Sequence, residues 1–351
     1  MQRKGQRSMT LYETDFYIRL NNRSVKCQLC PKQCRIAEHA YGDCLVRKNV
    51  QGRLISEVYG KLAAINLDPV EKKPLYHFYP GNKILSVGTN GCNFHCEFCQ
   101  NHQLSQTLIS TTKQSCFTPE KLVETALFTR HNLGIAFTYN EPAVNYEFML
   151  NTAALAKQAG LVSAMISNGY LQSEPLNRLL TVIDAFNIDL KAFDGRFYHR
   201  YCKGTLAPVL KTISQIHKAG SHLELTNLLI PGLNDDERVF REMCRWIAGE
   251  TGKSTVLHLS AYFPAYRVNL PPTPAATLFR LYDVAKSYLH HVYAGNLPAG
   301  DRANTFCPGC GTKLIERNFY KATITGLDAE GRCLTCSLHE IKYMNYETIH
   351  S

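Results

Sequence analysis

From residue 84 onward the chain alternates short apolar runs with longer amphipathic ones, and this rhythm restricts the fold more than any other feature. Runs at 84–87, 135–139, 161–167, 185–191, 222–230, 255–260 and 291–294 have the length and composition of strands. Between them, 145–159, 173–182, 205–219, 235–248 and 274–290 carry apolar residues at helical spacing, and two of these stretches stop at Gly160 and Gly220. A further helix begins at Thr118-Pro119-Glu120, with Thr118 as N-cap and Pro119 in the first turn, and its apolar face is Leu122, Val123, Ala126 and Leu127. Repeated strand–helix units predict a parallel sheet, because each crossover helix returns the chain to the start of the next strand. The expected fold class is α/β, a full or partial (β/α) barrel, with its active face at the carboxyl ends of the strands.

Cysteine usage is the main chemical signal. Eleven of the fourteen cysteines fall into three groups. Cys27, Cys30, Cys34 and Cys44 form the first, Cys92, Cys96 and Cys99 the second, and Cys307, Cys310, Cys333 and Cys336 the third. Without an export signal, thiols kept this close together hold metal more often than they form disulfides. The third group is a pair of CxxC knuckles with Pro308, Gly309 and Gly311 at the first turn and a hairpin expected over 313–325. It reads as structural zinc, with a rubredoxin-like single iron as the competitor. The first group can hold zinc or a second iron–sulfur cluster, since thiolates suit both and spacing does not separate them. Zinc is preferred there. Cys116, Cys202 and Cys244 read as ordinary thiols.

The second group has three cysteines, not four. Three thiolates leave one iron of a four-iron cluster without a protein ligand, and that open position can bind a small molecule. The group lies in the loop after the first strand, on the expected active face.

Composition narrows the remaining classes. With 45% hydrophobic and 19% charged residues, the chain is neither disordered nor a coiled coil. No uninterrupted apolar run approaches the ~18 residues of a membrane span. The basic start, residues 1–7, has no apolar stretch behind it and does not read as a secretory signal, and a cytoplasmic location is expected because an open-site cluster is oxygen-sensitive. A net charge of +10 favours anionic partners without choosing among them. Three regions are expected: a Cys-rich module at 1–80 with a short hairpin around 53–66, the barrel core at 81–300 and a zinc-ribbon-like module at 301–351.

The loop from Gly91 through Cys92, Cys96 and Cys99 to Asn101 resembles the signature of radical S-adenosylmethionine (SAM) enzymes. The segment 68–78, followed by Gly81, together with the leading four-cysteine group and the trailing CPxCG motif, resembles the AmmeMemoRadiSam branch, which is related to pyruvate formate-lyase activating enzymes. The resemblance implies a [4Fe-4S] cluster on Cys92, Cys96 and Cys99 and SAM on its open iron. It further implies reductive cleavage of SAM to a 5′-deoxyadenosyl radical that takes hydrogen from a substrate. The cofactors carry that chemistry and the protein orients them.

The other implied SAM contacts fall at successive strand ends. Phe98 would pack on adenine. Tyr139, Asn140 and Glu141 would receive the methionine ammonium, with Glu141 as its acceptor. Ser167 and Asn168 would reach the ribose or the carboxylate. Asp189 and Lys191 form a DxK motif near the methionine carboxylate, and Ile230 closes a strand that touches adenine. Each has a plainer reading as well: Glu141 as a helix cap, Asn168-Gly169 as a turn, Asp189 and Lys191 as a surface pair. His258, Tyr262 and Asn296 are lesser candidates at the same mouth.

The implied partners are a low-potential donor such as flavodoxin or ferredoxin, and Memo-type and AMMECR-type proteins. Two other functions compete. Glycyl-radical enzyme activation is a narrower version of the first. A zinc-ribbon nucleic-acid-binding protein belongs to a different class, and the scattered basic residues, with no run of five or six, count against it. The chain departs from the family after Cys336, where residues 337–346 replace an expected glycine and a Trp-containing tail.

Overall fold

A computed structural model describes residues 12–109 and 113–344. The basic start and the tail's Asn345 and Tyr346 lie outside these residues.

The core is an eight-stranded sheet. In chain order its strands are β1 (Ala64–Pro69), β2 (Lys83–Gly88), β3 (Asn132–Phe137), β4 (Val162–Ser167), β5 (Ala185–Asp189), β6 (His222–Leu229), β7 (Val256–Ala261) and β8 (Val292–Gly295). They lie side by side in that order, parallel from β2 to β8, with β1 antiparallel on the β2 edge. The sheet therefore forms the partial rather than the full barrel, with β1 and β8 at its edges. The central strands are covered on both faces, and every residue of β3 is buried.

The helices are α1 (Pro119–Phe128), α2 (Tyr146–Gln158), α3 (Ser173–Leu179), α4 (Leu206–Lys218), α5 (Glu237–Glu250) and α6 (Ala275–Lys286). Their starts follow local chemistry. Thr118 accepts the Lys121 N–H at 3.2 Å ahead of Pro119, and Asp236 accepts the Val239 N–H at 2.9 Å. Phe240, Met243, Cys244 and Ile247 recur at helical spacing and form the buried stripe of α5.

One expectation needs correction. A hairpin expected around 53–66 is instead Arg47–Val50 paired with Arg53–Ser56, while β1 leaves the Cys-rich region and joins the main sheet. Pairing with β2 satisfies the backbone of β1 and hides one edge of the sheet. The C-terminal hairpin is as expected, Lys313–Asn318 with Lys321–Ile324.

The base of the barrel, at the amino ends of the strands, is closed by the segment after β1. Glu224 on β6 is fully buried and takes four hydrogen bonds. The N–H groups of Tyr76 and His77 donate at 2.9 and 2.8 Å, and the rings of His222 and His258 lie at 2.9 and 2.6 Å. The divergent tail docks on the same base, where the Tyr343 ring lies tilted against Phe78, 5.0 Å between centroids, and its carbonyl accepts the Tyr79 N–H at 2.9 Å.

Candidate active site

The three-cysteine loop leaves the carboxyl end of β2. Gly91 has φ of 86°, and a Cβ there would lie 2.5 Å from the Cys44 carbonyl oxygen, so only glycine fits. The loop is tied down from several sides. Gly91 N–H donates to Leu104 O, His95 N–H to Cys202 O and Glu97 N–H to Tyr201 O, each at 2.9 Å. Asn140, beyond β3, accepts the Thr89 N–H at 3.1 Å and donates to Gly91 O at 2.8 Å. Asn140 thus acts as the clamp on the loop.

Cys96 is buried, and Cys92 and Cys99 are half-buried. Polar groups surround their sulfurs. The Phe94 N–H lies 3.4 Å from Cys92 Sγ, the Asn168 amide 3.7 Å, and the Ser105 hydroxyl 3.1 Å from Cys99 Sγ. Burial, followed by the nearby Glu141 charge, pushes the Cys92 thiol well up, so binding metal there releases a proton. A thiolate set with hydrogen-bond donors aimed at its sulfurs fits a [4Fe-4S] cluster with one open iron.

Cys202, expected as an ordinary thiol, is buried, and its carbonyl accepts the His95 N–H of the cysteine loop. It is buried in the turn Tyr198–Cys202 and hydrogen-bonds Cys96, which lowers the Cys96 pKa. No spacing motif joins residues 96 and 202. Its sequence neighbours, from Phe197 to Lys203, are aromatic and basic and carry no ligand signal.

The other expected residues gather at the same end of the sheet, several in structural roles. Glu141 caps the turn Pro142–Asn145, accepting the Ala143 N–H at 3.0 Å. It also accepts the Ser167 hydroxyl at 2.9 Å and the Asn168 N–H at 2.7 Å. Burial raises its pKa to about 7 despite those bonds. Asn168 joins two strand ends by donating to Asn93 Oδ1 at 2.8 Å. Tyr139 sits at φ 72° with its hydroxyl donating to Asp68 at 2.6 Å, so the ring points along the sheet and away from the loop.

Lys191 pairs with Asp189 at 3.0 Å, and its ammonium lies 6.0 Å from the Phe98 ring. Burial would lower the Lys191 pKa, but the Asp189 charge and nearby thiolates hold it well above the ordinary value. It is therefore a fixed cation beside the cysteine loop. Phe98 is buried and packs near Phe197. Ile230 is fully buried, with its N–H bonded to Asn234 Oδ1 at 2.7 Å and its carbonyl used within the same turn.

A large open cavity runs beside this site along the free β8 edge. Gln100, Tyr76, His258, Ser260, Asn296 and Arg317 are among its lining. His258 is held by Glu224, as a satisfied core histidine would be. Tyr262 is buried and donates to Val268 O at 2.7 Å. Asn296 donates to Ala261 O at 3.2 Å.

The flanking cysteine groups differ in geometry. In the C-terminal group the Cys307 and Cys336 sulfurs lie 3.5 Å apart, as do those of Cys310 and Cys333, and all four converge within 4.8 Å. Tetrahedral zinc with Zn–S bonds near 2.3 Å needs sulfurs about 3.8 Å apart, so this group fits one ion. The N-terminal four instead line a shared, partly open cavity.

Residues 86–244 match the signature of the Radical SAM superfamily. An uncharacterized protein of Methanocaldococcus jannaschii, MJ0808, is 42% identical over 328 residues, which cover 92% of this chain and 97% of the relative. A second protein of that organism, MJ1632, designated a candidate glycyl-radical enzyme activating enzyme, is 25% identical over 202 residues, 55% of this chain and 71% of its own. Among solved structures, a domain of pyruvate-formate lyase-activating enzyme from Bacteroides vulgatus aligns at 19% identity with a TM-score of 0.41. The alignment covers 46% of this chain and 98% of that one. Among the described residues, no helix is long and apolar enough to cross a membrane.

Proposed function

Because the chain belongs to the radical SAM superfamily, we propose that it reductively cleaves SAM at a [4Fe-4S] cluster held by Cys92, Cys96 and Cys99. When bound, that pair supplies one-electron cleavage of the sulfonium and a 5′-deoxyadenosyl radical able to abstract hydrogen. The observation that carries the reading is the three-cysteine loop at the end of β2, clamped by Asn140 and Asn168 from the ends of the next two strands.

The chain's own residues divide the work of binding. Asn140 holds the loop to its neighbours. Lys191, kept charged by Asp189, offers a cation to the methionine carboxylate. Ser167 and Glu141 are placed toward the ribose and ammonium and Phe98 toward adenine, each uncovered from its burial as SAM enters, while the fully buried Ile230 supports the strand end without a contact. The cavity along the β8 edge receives the substrate, with Gln100 at its junction with the cysteine loop. Zinc is the ion proposed for the C-terminal ribbon. A flavodoxin or ferredoxin is the proposed electron donor, and the location is cytoplasmic.

The AmmeMemoRadiSam assignment, with Memo-type and AMMECR-type partners, is proposed on the 68–78 segment, whose Asp68 pairs with Lys73 at 2.7 Å and whose 76–77 backbone is bound by Glu224. The similarity to MJ1632 favours a second reading, activation of a glycyl-radical enzyme. A glycyl radical signal on a partner after incubation with reduced protein and SAM would select it.

The test of the main reading is anaerobic reconstitution with iron and sulfide, followed by reduction. SAM should shift the EPR signal of the reduced cluster, and 5′-deoxyadenosine should form. A reduced cluster indifferent to SAM, with no 5′-deoxyadenosine, refutes it.

A further inference from the structure

The four N-terminal cysteines are arranged differently from the C-terminal four. Cys27, Cys30, Cys34 and Cys44 line one small, partly open cavity, whose other walls include the apolar side chains of Leu29, Ile36 and Val144. Among the described residues, the groups of three or more ligands converging within 4.8 Å include the C-terminal cysteines but not these. Zinc draws its thiolates to about 3.8 Å of one another. An iron–sulfur cluster spreads them around a core of iron and sulfide.

A buried cation faces the same space. Arg47 is 1% exposed and lines it. One guanidinium nitrogen pairs with Glu147 at 2.7 Å, while Nε and Nη1 have no partner. Buried donors normally find acceptors, and the sulfides and thiolates of an anionic cluster would supply them. The Asp43 N–H already points at Cys34 Sγ at 3.5 Å, a hydrogen bond of the kind that tunes cluster thiolates.

The space adjoins the three-cysteine loop. Cys44 O packs against Gly91, Asn93 lines the cavity next to Cys92, and Asp43 pairs with His95 at 3.1 Å. We infer that Cys27, Cys30, Cys34 and Cys44 bind a second iron–sulfur cluster of four-iron size, which relays electrons to the cluster on Cys92, Cys96 and Cys99. This departs from the preference for zinc, which spacing does not decide. The relay is a one-electron exchange. A low-potential external donor reduces the second cluster, which is reoxidised as the loop cluster gains that electron, with no bond made or broken. The site stands on its own geometry; the relay role rests on the radical SAM reading.

Two variants separate the claims. In the triple Cys92→Ala, Cys96→Ala, Cys99→Ala protein, reconstitution in the presence of iron, sulfide and zinc should leave about four iron and four sulfide per chain. Its reduced EPR signal should not respond to SAM. Zinc in place of iron at the N-terminal cysteines of that variant overturns the cluster. Such zinc is the amount lost when Cys27, Cys30, Cys34 and Cys44 are also replaced by alanine.

In the converse protein, with only those four replaced, the SAM-responsive signal should persist while its reduction by a flavodoxin slows by an order of magnitude or more. An unchanged rate overturns the relay. A converse protein that holds its loop cluster but lacks any response to SAM sinks the radical SAM reading and leaves the second cluster standing. If the converse protein does not fold, Arg47→Gln in the triple variant tests the site instead, since losing the cation should shift the midpoint potential downward. An unmoved potential counts against a cluster beside Arg47.

Discussion

Replacing Glu224 with glutamine tests how the base of the barrel is held. Each carboxylate oxygen takes one backbone N–H and one histidine, Oε1 from His77 and His222 and Oε2 from Tyr76 and His258. Glutamine keeps one acceptor oxygen and turns an NH2 group toward the other pair. A histidine can change tautomer to accept from that NH2, but the Tyr76 or His77 N–H cannot. One buried N–H left unpaired costs about 1–3 kcal/mol, and the surviving bonds lose roughly 1 kcal/mol with the charge. The sum, about 3 kcal/mol, is roughly a hundredfold in the unfolding equilibrium and about 5 °C in Tm.

The pH dependence of that cost has a definite sign. Burial would raise the Glu224 pKa, but hydrogen bonds from His222 and His258 hold it well below the ordinary carboxylate value. A depressed folded pKa gives stability that is present above the unfolded value of 4.5 and lost as pH falls below it toward the folded pKa. Denaturant titrations of wild type and Glu224→Gln should therefore differ by a constant amount between pH 6 and 8, and the gap should close below pH 4.5. The exposed Glu242→Gln change, which breaks only a surface pair with Arg238, is the control. If Glu224→Gln unfolds within about 0.5 kcal/mol of wild type, Glu224 does not hold the segment after β1.

Other outcomes can be checked with the same protein. Lys191→Met should weaken SAM binding by about tenfold to a hundredfold through loss of a charged hydrogen bond, measured by EPR titration of the cluster. In cofactor-free protein, Glu141→Gln should gain stability relative to wild type as pH rises from 4.5 to about 7, because burial gives the acid a raised folded pKa. The gain is on the order of 3 kcal/mol by linkage, read from denaturant titrations across that range. Gly91→Ala forces a Cβ to 2.5 Å from Cys44 O, so both the loop cluster and iron at the N-terminal cysteines should decline in reconstitution. Cys310→Ser should release the ribbon's metal and remove hydrogen-exchange protection selectively from residues 305–344, leaving β2–β8 protected.

Much of the barrel was legible because its signals are local. Strand and helix periods, the Thr118 cap and the Gly160 and Gly220 stops depend on neighbours within a turn or two, so the sequence alone determined the order of elements from β2 onward. The spacing of Cys92, Cys96 and Cys99 marked the loop for the same reason, since ligands to one cluster are close along the chain. Strand β1 was missed because its partner is chosen by the open sheet edge beside β2, and nothing in residues 64–69 names that edge.

What only the tertiary structure decided lies where distant segments supply one environment. Cys202 meets Cys96 because the turn Tyr198–Cys202 packs on the loop. Glu141, legible as either a ligand or a cap, caps its own turn by accepting the Ala143 N–H and takes two further donors, Ser167 and Asn168, from the end of β4. Arg47 is buried beside four thiols through a pair with Glu147, a hundred residues away. Periodicity and spacing record what a residue does to its own element. Burial, pairing and the shape of a cavity depend on which elements close around it, and the packing of the barrel sets those.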